Sequence, residues 1–469
     1  MTKTKSVASS AAIVLAAGLG TRMESDVPKV LHGLAGRPMI AHLMASLAEA
    51  GVARTVVVVG PSSGADAVAE VVAPHTTAVQ AEQLGTGDAA LAAKEALAGF
   101  SGDVLLLNGD APLITPETME SVLAARRSAP HPGLAVVGFR ADAPGAYGRL
   151  ITGPDGALEA IVEAGDASPD ELAVDLCNSG VMAIDGKLLF GLLQRLGNDN
   201  AKGEYYLTDI VTLARADGLA SAVVEGSPSE LMGINSRAEL AAAEAVAQDR
   251  LRQRAMAGGA TLLDPASVYL SFDTRLGRDV TVGPHVVFGP GVEVGDGAEI
   301  LAFSHVEGAH VGAGARVGPF ARLRPGARIA AEAHIGNFVE IKNASVEAEA
   351  KINHLAYVGD ARVGAGANVG AGTITCNYDG INKHFTDIGV GAFIGSNAAL
   401  VAPVKVGAGA IIGAGSVITR DVATDALAVT RSDQKEIDGA AARFRKRQAK
   451  GGGAPKRQAK EKSKAKRDG

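Results

Sequence analysis

Two sets of residues in this 469-residue chain have types and spacings suited to chemistry. The first is Leu15-Ala-Ala-Gly18-Leu-Gly20-Thr21-Arg22-Met23, with Pro28-Lys29 close behind. Small residues let backbone N–H groups approach an anion, and Arg22 and Lys29 supply positive charge. No Gly-Lys-Ser/Thr follows, so this is not a Walker A loop. Thr and Arg stand where a dinucleotide fingerprint would carry its third glycine. A glycine-rich turn is often only a turn, but arginine and lysine at this spacing make it read as a phosphate site. Leu105-Leu-Leu-Asn-Gly109-Asp110 then ends an apolar run with an acid. In open α/β sheets ligands sit at the carboxyl ends of strands, which places Asp110 to hold a divalent metal. A turn-capping aspartate is the plainer alternative.

The second set lies far downstream. Arg324, Lys342, His354, Tyr357, Asn368, Asn377, Tyr378 and Lys383 occupy or flank coils otherwise built from Ala, Gly and Val. The run Asn377-Tyr378-Asp379-Gly380-Ile381-Asn382-Lys383 interrupts a repeat. Histidine's ordinary pKa lies near neutrality, so His354 among basic and amide neighbours suits a general base. An isolated histidine in such a coil would more often be structural.

Periodicity reveals the elements that position these residues. Aliphatic anchors recur every six residues at Val282, Phe288, Val294, Ile300 and Val306. After a step of five they continue at Val311, Val317, Leu323, Ile329, Ile335 and Ile341, and again at Ile388, Ile394, Leu400, Val406, Ile412 and Ile418. This period is neither helical nor the alternation of a flat sheet. It predicts a solenoid with three short strands per coil of eighteen residues, anchors inward and small residues at the corners. Residues 11–236 instead alternate between strands and helices. Strands are predicted at Ala12–Ala17, Thr55–Val59, Val104–Leu107, Leu134–Phe139 and Val181–Ile184, and helices at Pro38–Glu49 and Gly87–Leu97. Continuous aliphatic strands are buried on both faces, giving a three-layer α/β domain with a mostly parallel sheet. Ser236-Arg-Ala-Glu239 has the spacing of a capping box, and a connecting helix is predicted through Ala241–Met256. The chain thus divides into an N-terminal tail 1–10, an α/β domain 11–236, a helix and linker 237–263, a solenoid 264–437 and a basic tail 438–469. The tail, charged and almost free of aliphatics, is predicted to be disordered.

Net charge is −6, but from Arg443 onward there are 12 Lys and Arg against 2 Asp and Glu, leaving about −16 for the remainder. The tail has no interleaved aromatics for base stacking. A basic tail could bind nucleic acid or a membrane surface, but the plainer reading is a solvated segment aiding solubility, with no membrane partner and no established nucleic-acid partner. Cys177 and Cys376 are too few for a disulfide framework or a Cys-based zinc site, and point to a reducing cytoplasm. The short apolar run Ala11–Ala17 enters a Gly-Leu-Gly turn, so it reads as a first strand rather than a signal sequence. No stretch approaches the ~20 apolar residues of a membrane span.

Three further segments sharpen the reading: Gln80-Ala-Glu-Gln83-Leu-Gly85-Thr86-Gly87, Glu204-Tyr-Tyr-Leu-Thr208-Asp209 and Gly233-Ile-Asn235-Ser-Arg237. With these, the α/β segment resembles the sugar-phosphate nucleotidyltransferases. The segment from Lys351 through His354 to Asp360 and the Asn-Tyr-Asp-Gly loop resemble an acetyltransferase site. Roughly residues 10–436 therefore resemble the family of bifunctional N-acetylglucosamine-1-phosphate uridyltransferases and glucosamine-1-phosphate acetyltransferases. The resemblance implies a Rossmann-like nucleotidyltransferase domain followed by a left-handed parallel β-helix. It implies acetylation of glucosamine-1-phosphate by acetyl-CoA, then Mg²⁺-dependent uridylyl transfer from UTP with release of pyrophosphate.

In the first domain it implies that Leu15, Gly18 and Lys29 line the nucleotide site and that Gln80, Gly85 and Thr86 contact the uracil side. Gly148, Glu163 and Asn178 would hold N-acetylglucosamine, and Asp110 and Asn235 would bind Mg²⁺. Arg22 and Lys29 would neutralise charge as one anion attacks another, with no protein nucleophile required. In the second domain Arg324, Lys342, Tyr357, Asn368 and Lys383 would clamp glucosamine-1-phosphate. The Asn377 carbonyl would position the amine and the Ala371 N–H would stabilise the oxyanion. Tyr378, Ser396, Ala414 and Arg431 would complete the acetyl-CoA site. The resemblance also implies a homotrimer with the acetyl site between subunits. Leu19 and Asn108 depart from residues common in relatives, which predicts altered affinity rather than lost chemistry. The alternatives are a single-activity nucleotidyltransferase on a scaffold solenoid, or a binding scaffold with both sites dead. The set of His354, Asn377–Lys383 and Arg431 speaks against the first, and intact Arg22, Lys29, Asp110, Asn235 and His354 against the second.

Overall fold

The computed structural model describes residues 9–18, 20–61 and 64–451. Leu19 and the end of the basic tail, 452–469, lie outside the described residues. In the α/β domain the main strands are β1 (Ser10–Ala16), β2 (Arg54–Val59), β3 (Thr76–Val79), β4 (Asp103–Asn108), β5 (Leu134–Arg140), β6 (Leu176–Asp185) and β7 (Ser221–Glu225). They are ordered β7-β5-β6-β4-β1-β2-β3. All these pairings are parallel except those of β6, which runs antiparallel to β4 and β5. Alternate residues of β1 enter opposite cores. Ala11 and Ile13 meet the helices carrying Ala90, Leu192 and Ile210, while Ala12 and Val14 meet those carrying Leu43, Val72 and Val122. The domain is therefore a three-layer sandwich. The chain winds to one side of β1 for β2 and β3, then crosses to the other for β4. That reversal opens a crevice at the carboxyl ends of β1 and β4.

The helix expected over 87–97 spans Thr86–Ala92. Beyond it the backbone tightens into shorter turns, with Lys94 N–H donating to Leu91 O at 3.0 Å and Ala98 N–H to Glu95 O at 3.2 Å. The connecting helix runs over Arg237–Ala257. Ser236 Oγ accepts from Glu239 N–H, but the Glu239 carboxylate reaches back to Asn235 N–H at 2.7 Å rather than to Ser236. The expected capping box is thus displaced by one residue, and the displacement fixes the Asn235 backbone. Ala243 and Ala247 of this helix pack with Leu34, Met39, Leu113 and Ile234. Buried Gln248 exchanges two hydrogen bonds with the Leu270 backbone and so ties the helix to the solenoid.

The solenoid is a parallel β-helix, consistent with the left-handed type, and every anchor named above is buried. Val282 pairs with Ile300 and Ile300 with Val317, so coils hold 18 or 17 residues. Val369 pairs with Ile394, so one coil holds 25, the excess being the Asn377–Lys383 excursion and its flanks. The expected disorder after 438 is overturned over Ala440–Gly451, which is helical. Its Ala, Arg, Lys and Gln are strong helix formers and need no burial to favour that conformation.

Candidate active sites

The crevice beyond β1 and β4 holds about 510 Å³ and is lined by Leu15, Gly18, Lys29, Gln80, Gly85, Thr86 and Asp110, among others. Gly20 turns the chain with φ +63°, and a Cβ there would stand 2.7 Å from Lys29 Cβ, so the glycine lets Lys29 close over the turn. The Lys29 ammonium bonds the Asp110 carboxylate and, at 2.8 Å, Asn235 Oδ1. Both partners are oxygen donors converging on one cation. That is the donor set Mg²⁺ takes from a protein when substrate phosphates and water complete its shell. Among the described residues no group of three or more His, Cys, Asp or Glu is placed to hold a metal. Arg22 lies exposed on the turn Thr21–Met23 and is not among the crevice-lining residues.

Gln80 donates to Gly85 O at 3.0 Å and to Asp88 at 2.8 Å, which fixes its amide at the crevice wall. Thr86 Oγ1 accepts from Leu207 N–H. Asn178, Gly148 and Glu163 come together beside β6. Asn178 N–H donates to Gly148 O at 2.8 Å, and a Cβ on Gly148 would lie 3.5 Å from Glu163 Oε1. Burial raises the Glu163 pKa, partly offset by the Thr208 hydroxyl, which donates to it at 3.3 Å. Asn108 also lines the crevice.

On the solenoid, two columns of polar residues stack from coil to coil. In one, His354 pairs in register with Asn337, and His354 Nδ1 lies 2.7 Å from Asn337 Oδ1. An amide oxygen can only accept, so Nδ1 carries the hydrogen and Nε2 keeps a lone pair. In the other column Asp360 accepts from Asn343 at 2.6 Å and from Asn377. Burial pushes the Asp360 pKa up, but those two bonds and the Lys383 and Lys342 charges outweigh it, and the net shift is down. Lys342, next to Lys383 and Arg324, has its pKa lowered chiefly by the Lys383 ammonium. This is a cationic pocket suited to an anion, although Arg324 also pairs with Glu340 at 2.9 Å. Tyr357 stands opposite Glu340 in the ladder, and Asn368 opposite Lys351.

A continuous track leads away from His354. Gly372 N–H donates to His354 O at 3.3 Å, Asn397 N–H to Ala371 O at 2.8 Å, and Gly415 N–H to Ser396 O at 2.8 Å. Arg431 then donates to Ala414 O at 2.5 Å. Ala371, Ser396, Ala414 and Arg431 therefore follow one edge of the prism, and the Ala371 N–H makes no hydrogen bond among the described residues. Asn377 O accepts from His384 N–H at 2.7 Å, leaving its second lone pair. Tyr378 is exposed and bridges to Lys383 across the loop. Asp379 caps the loop at Ile381 and Asn382 and bonds His384. The two backbone bonds and the histidine bring its pKa down to about 2. Half-buried Cys376 adjoins this loop as a free thiol.

Sequence reading had not singled out Asn337, Asp360, Asp88 or Thr208 as site residues. A signal existed for the first two. Each stands two places after a buried anchor, as His354 does after Ile352, where most anchors are followed by Ala, Gly, Ser or Pro.

The MobA-like NTP transferase domain family matches residues 12–183, and the bacterial transferase hexapeptide family matches 273–308 and 385–420. Among curated relatives, the bifunctional protein GlmU of Paramagnetospirillum magneticum is 63% identical, covering 94% of this chain and 97% of the relative. That of Rhodospirillum rubrum is 64% identical over 95% and 98% of the two chains. That of Azorhizobium caulinodans is 56% identical over 92% and 96%.

Proposed function

This chain belongs to the GlmU family of bifunctional proteins, and from that premise we propose which of its residues carry each reaction. The protein is a bifunctional transferase, a uridyltransferase in its α/β domain and an acetyltransferase in its β-helix, using UTP and acetyl-CoA as substrates. Glucosamine-1-phosphate is acetylated first, and N-acetylglucosamine-1-phosphate then takes the uridylyl group.

For uridylyl transfer, the carrying observation is the convergence of Lys29, Asp110 and Asn235 in the crevice. Asp110 and Asn235 would hold Mg²⁺, which supplies charge neutralisation on the phosphates. Leu15, Gly18, Gln80, Gly85 and Thr86 hold the nucleotide, and Gly148, Glu163 and Asn178 hold the acetylated sugar. Lys29 leaves the carboxylate for the α-phosphate, and Arg22 folds in from the exposed turn to meet the phosphate charge.

For acetyl transfer, the carrying observation is the hydrogen-bonded track from His354 to Arg431. Nε2 of His354 takes the proton of the attacking amine while the Asn377 carbonyl orients it and the Ala371 N–H meets the oxyanion. Arg324, Lys342, Tyr357, Asn368 and Lys383 grip the sugar phosphate, and Tyr378, Ser396, Ala414 and Arg431 receive acetyl-CoA. A homotrimer is supported by an exposed ring stack along one edge of the β-helix. His285, Phe303, Phe320 and Phe338 stack at 5.0, 4.9 and 5.2 Å, each at positive φ. Two free cysteines accord with a cytoplasmic setting, and no helix among the described residues is long and apolar enough to cross a membrane.

The test is a pair of substitutions read in both assays. Asp110→Ala is expected to lower uridylyl transfer about 10²–10³-fold and spare acetylation. His354→Ala is expected to lower acetylation about 10²–10⁴-fold and spare uridylyl transfer. Loss of both activities in either folded variant would refute the two-site assignment.

A further inference from the structure

A second charged cavity, of about 220 Å³, lies away from both sites where the α/β domain, the connecting helix and the β-helix meet. Its walls include Arg37, Arg250, Arg254, His42, Glu49 and Phe272. Many arginines elsewhere in the protein are paired with acids. Arg126, Arg127, Arg140, Arg195, Arg215 and Arg362 each contact a carboxylate. Around this cavity none does, among the described residues. Arg37 stacks 4.4 Å from the Phe272 ring centroid, and its Nε is buried without a hydrogen-bond partner. Asp273 acts on its charge without forming an ion pair. Arg250 donates to the Leu113 carbonyl at 2.7 Å, and exposed Arg254 makes no side-chain hydrogen bond among the described residues.

His42 adds no compensating charge. Its Nε2 lies 2.7 Å from Leu34 O, so Nδ1 faces Arg37 as an acceptor, and burial brings its pKa down to about 4. Glu49 is the only acid among the lining residues. Three guanidiniums against one carboxylate, beside an aromatic face, are complementary to an oxyanion carried on a small organic group. The volume falls below the roughly 300 Å³ at which sites for drug-sized ligands begin, which excludes a nucleotide sugar.

We propose that this junction cavity is a binding site for a small phosphate-bearing anion, separate from both active sites. Such an occupant would also touch Leu113 and Thr115, on the loop that follows Asp110.

The experiment is calorimetric titration of the full-length protein with inorganic phosphate and, separately, with glucose-6-phosphate. It is run in a background carrying Lys29→Ala and Lys383→Ala, which weakens the anion sites of the two active centres. Saturable binding is expected to persist there and to weaken about tenfold or more when Arg254→Glu is added, since one charge-assisted hydrogen bond is lost. Arg254→Met, which adds no repulsion, should weaken it in the same direction. Tighter binding of the ester than of phosphate would identify a phosphorylated metabolite as the occupant, and equal binding would identify free phosphate. Absence of binding in the background protein, or binding indifferent to both Arg254 variants, would overturn the proposal.

Discussion

Asn337→Ala isolates what orients His354, the proposed base. The amide oxygen lies 2.7 Å from His354 Nδ1, in register on the adjoining coil, and the imidazole is otherwise exposed. A neutral hydrogen bond of this kind contributes about 0.5–1.5 kcal/mol net. If it acts by holding the tautomer whose Nε2 is free, its loss raises the acetyl-transfer barrier by that amount. The expected fall in kcat is therefore about two- to tenfold. The residues proposed to grip the phosphate are unchanged, so KM for glucosamine-1-phosphate should stay constant. The assay is release of the coenzyme A thiol at saturating substrates from pH 5.5 to 9, with uridylyl transfer in the same preparation as the control for folding.

Asn337→Asp sharpens the test. It keeps an acceptor opposite Nδ1 but adds a negative charge that favours the imidazolium. A base must be neutral to act, so the acid limb of the acetylation profile should move to higher pH, with the high-pH plateau near the wild-type value. A purely structural role for Asn337 would leave that limb where it was. The reasoning is refuted if Asn337→Ala retains full kcat, if both activities fall together, or if the limb is unmoved in Asn337→Asp.

Three further outcomes are expected. Gly85→Ala forces a side chain onto φ +119° and sets its Cβ 2.7 Å from Tyr205 O, so strain of about 1–3 kcal/mol should lower the melting temperature and raise KM for UTP without affecting acetylation. Glu163 has a folded pKa raised by burial above its ordinary 4.5, so it binds its proton more tightly when folded, and stability declines as pH rises through that interval. Glu163→Gln should therefore melt higher than the native protein at pH 7, with the difference vanishing below about pH 4, while kcat/KM for N-acetylglucosamine-1-phosphate falls about tenfold; an unchanged melting temperature at pH 7 would contradict the burial argument. Phe320→Ser interrupts the exposed ring stack, and sedimentation should find a smaller species that keeps uridylyl transfer but loses acetylation; an intact trimer would remove the stack from the interface.

What the sequence could reveal, and what it could not, follows from how each element is specified. The solenoid was legible because each coil repeats one demand, an aliphatic residue in a space of fixed size. Which residues touch across coils was not. With coils of eighteen throughout, the residue stacked under His354 would be Gly336. The actual coil holds 17, and Asn337 stands there instead. A single five-residue step thus decides whether His354 meets an amide or a bare backbone, and no local pattern announces the register of that step. The α/β sheet shows the same limit in another form. The apolar run Val181–Ile184 was recognised, but β6 begins at Leu176, and the part missed carries Asn178 and the kink between Asn178 and Val181. Polar residues at the end of a strand break the hydrophobic signal at the place where the strand stops packing against the core. Residues proposed to bind are therefore least visible to periodicity, and they are better sought as departures at a fixed offset from a buried anchor, the offset that Asn337, His354, Asp360 and Asn377 share.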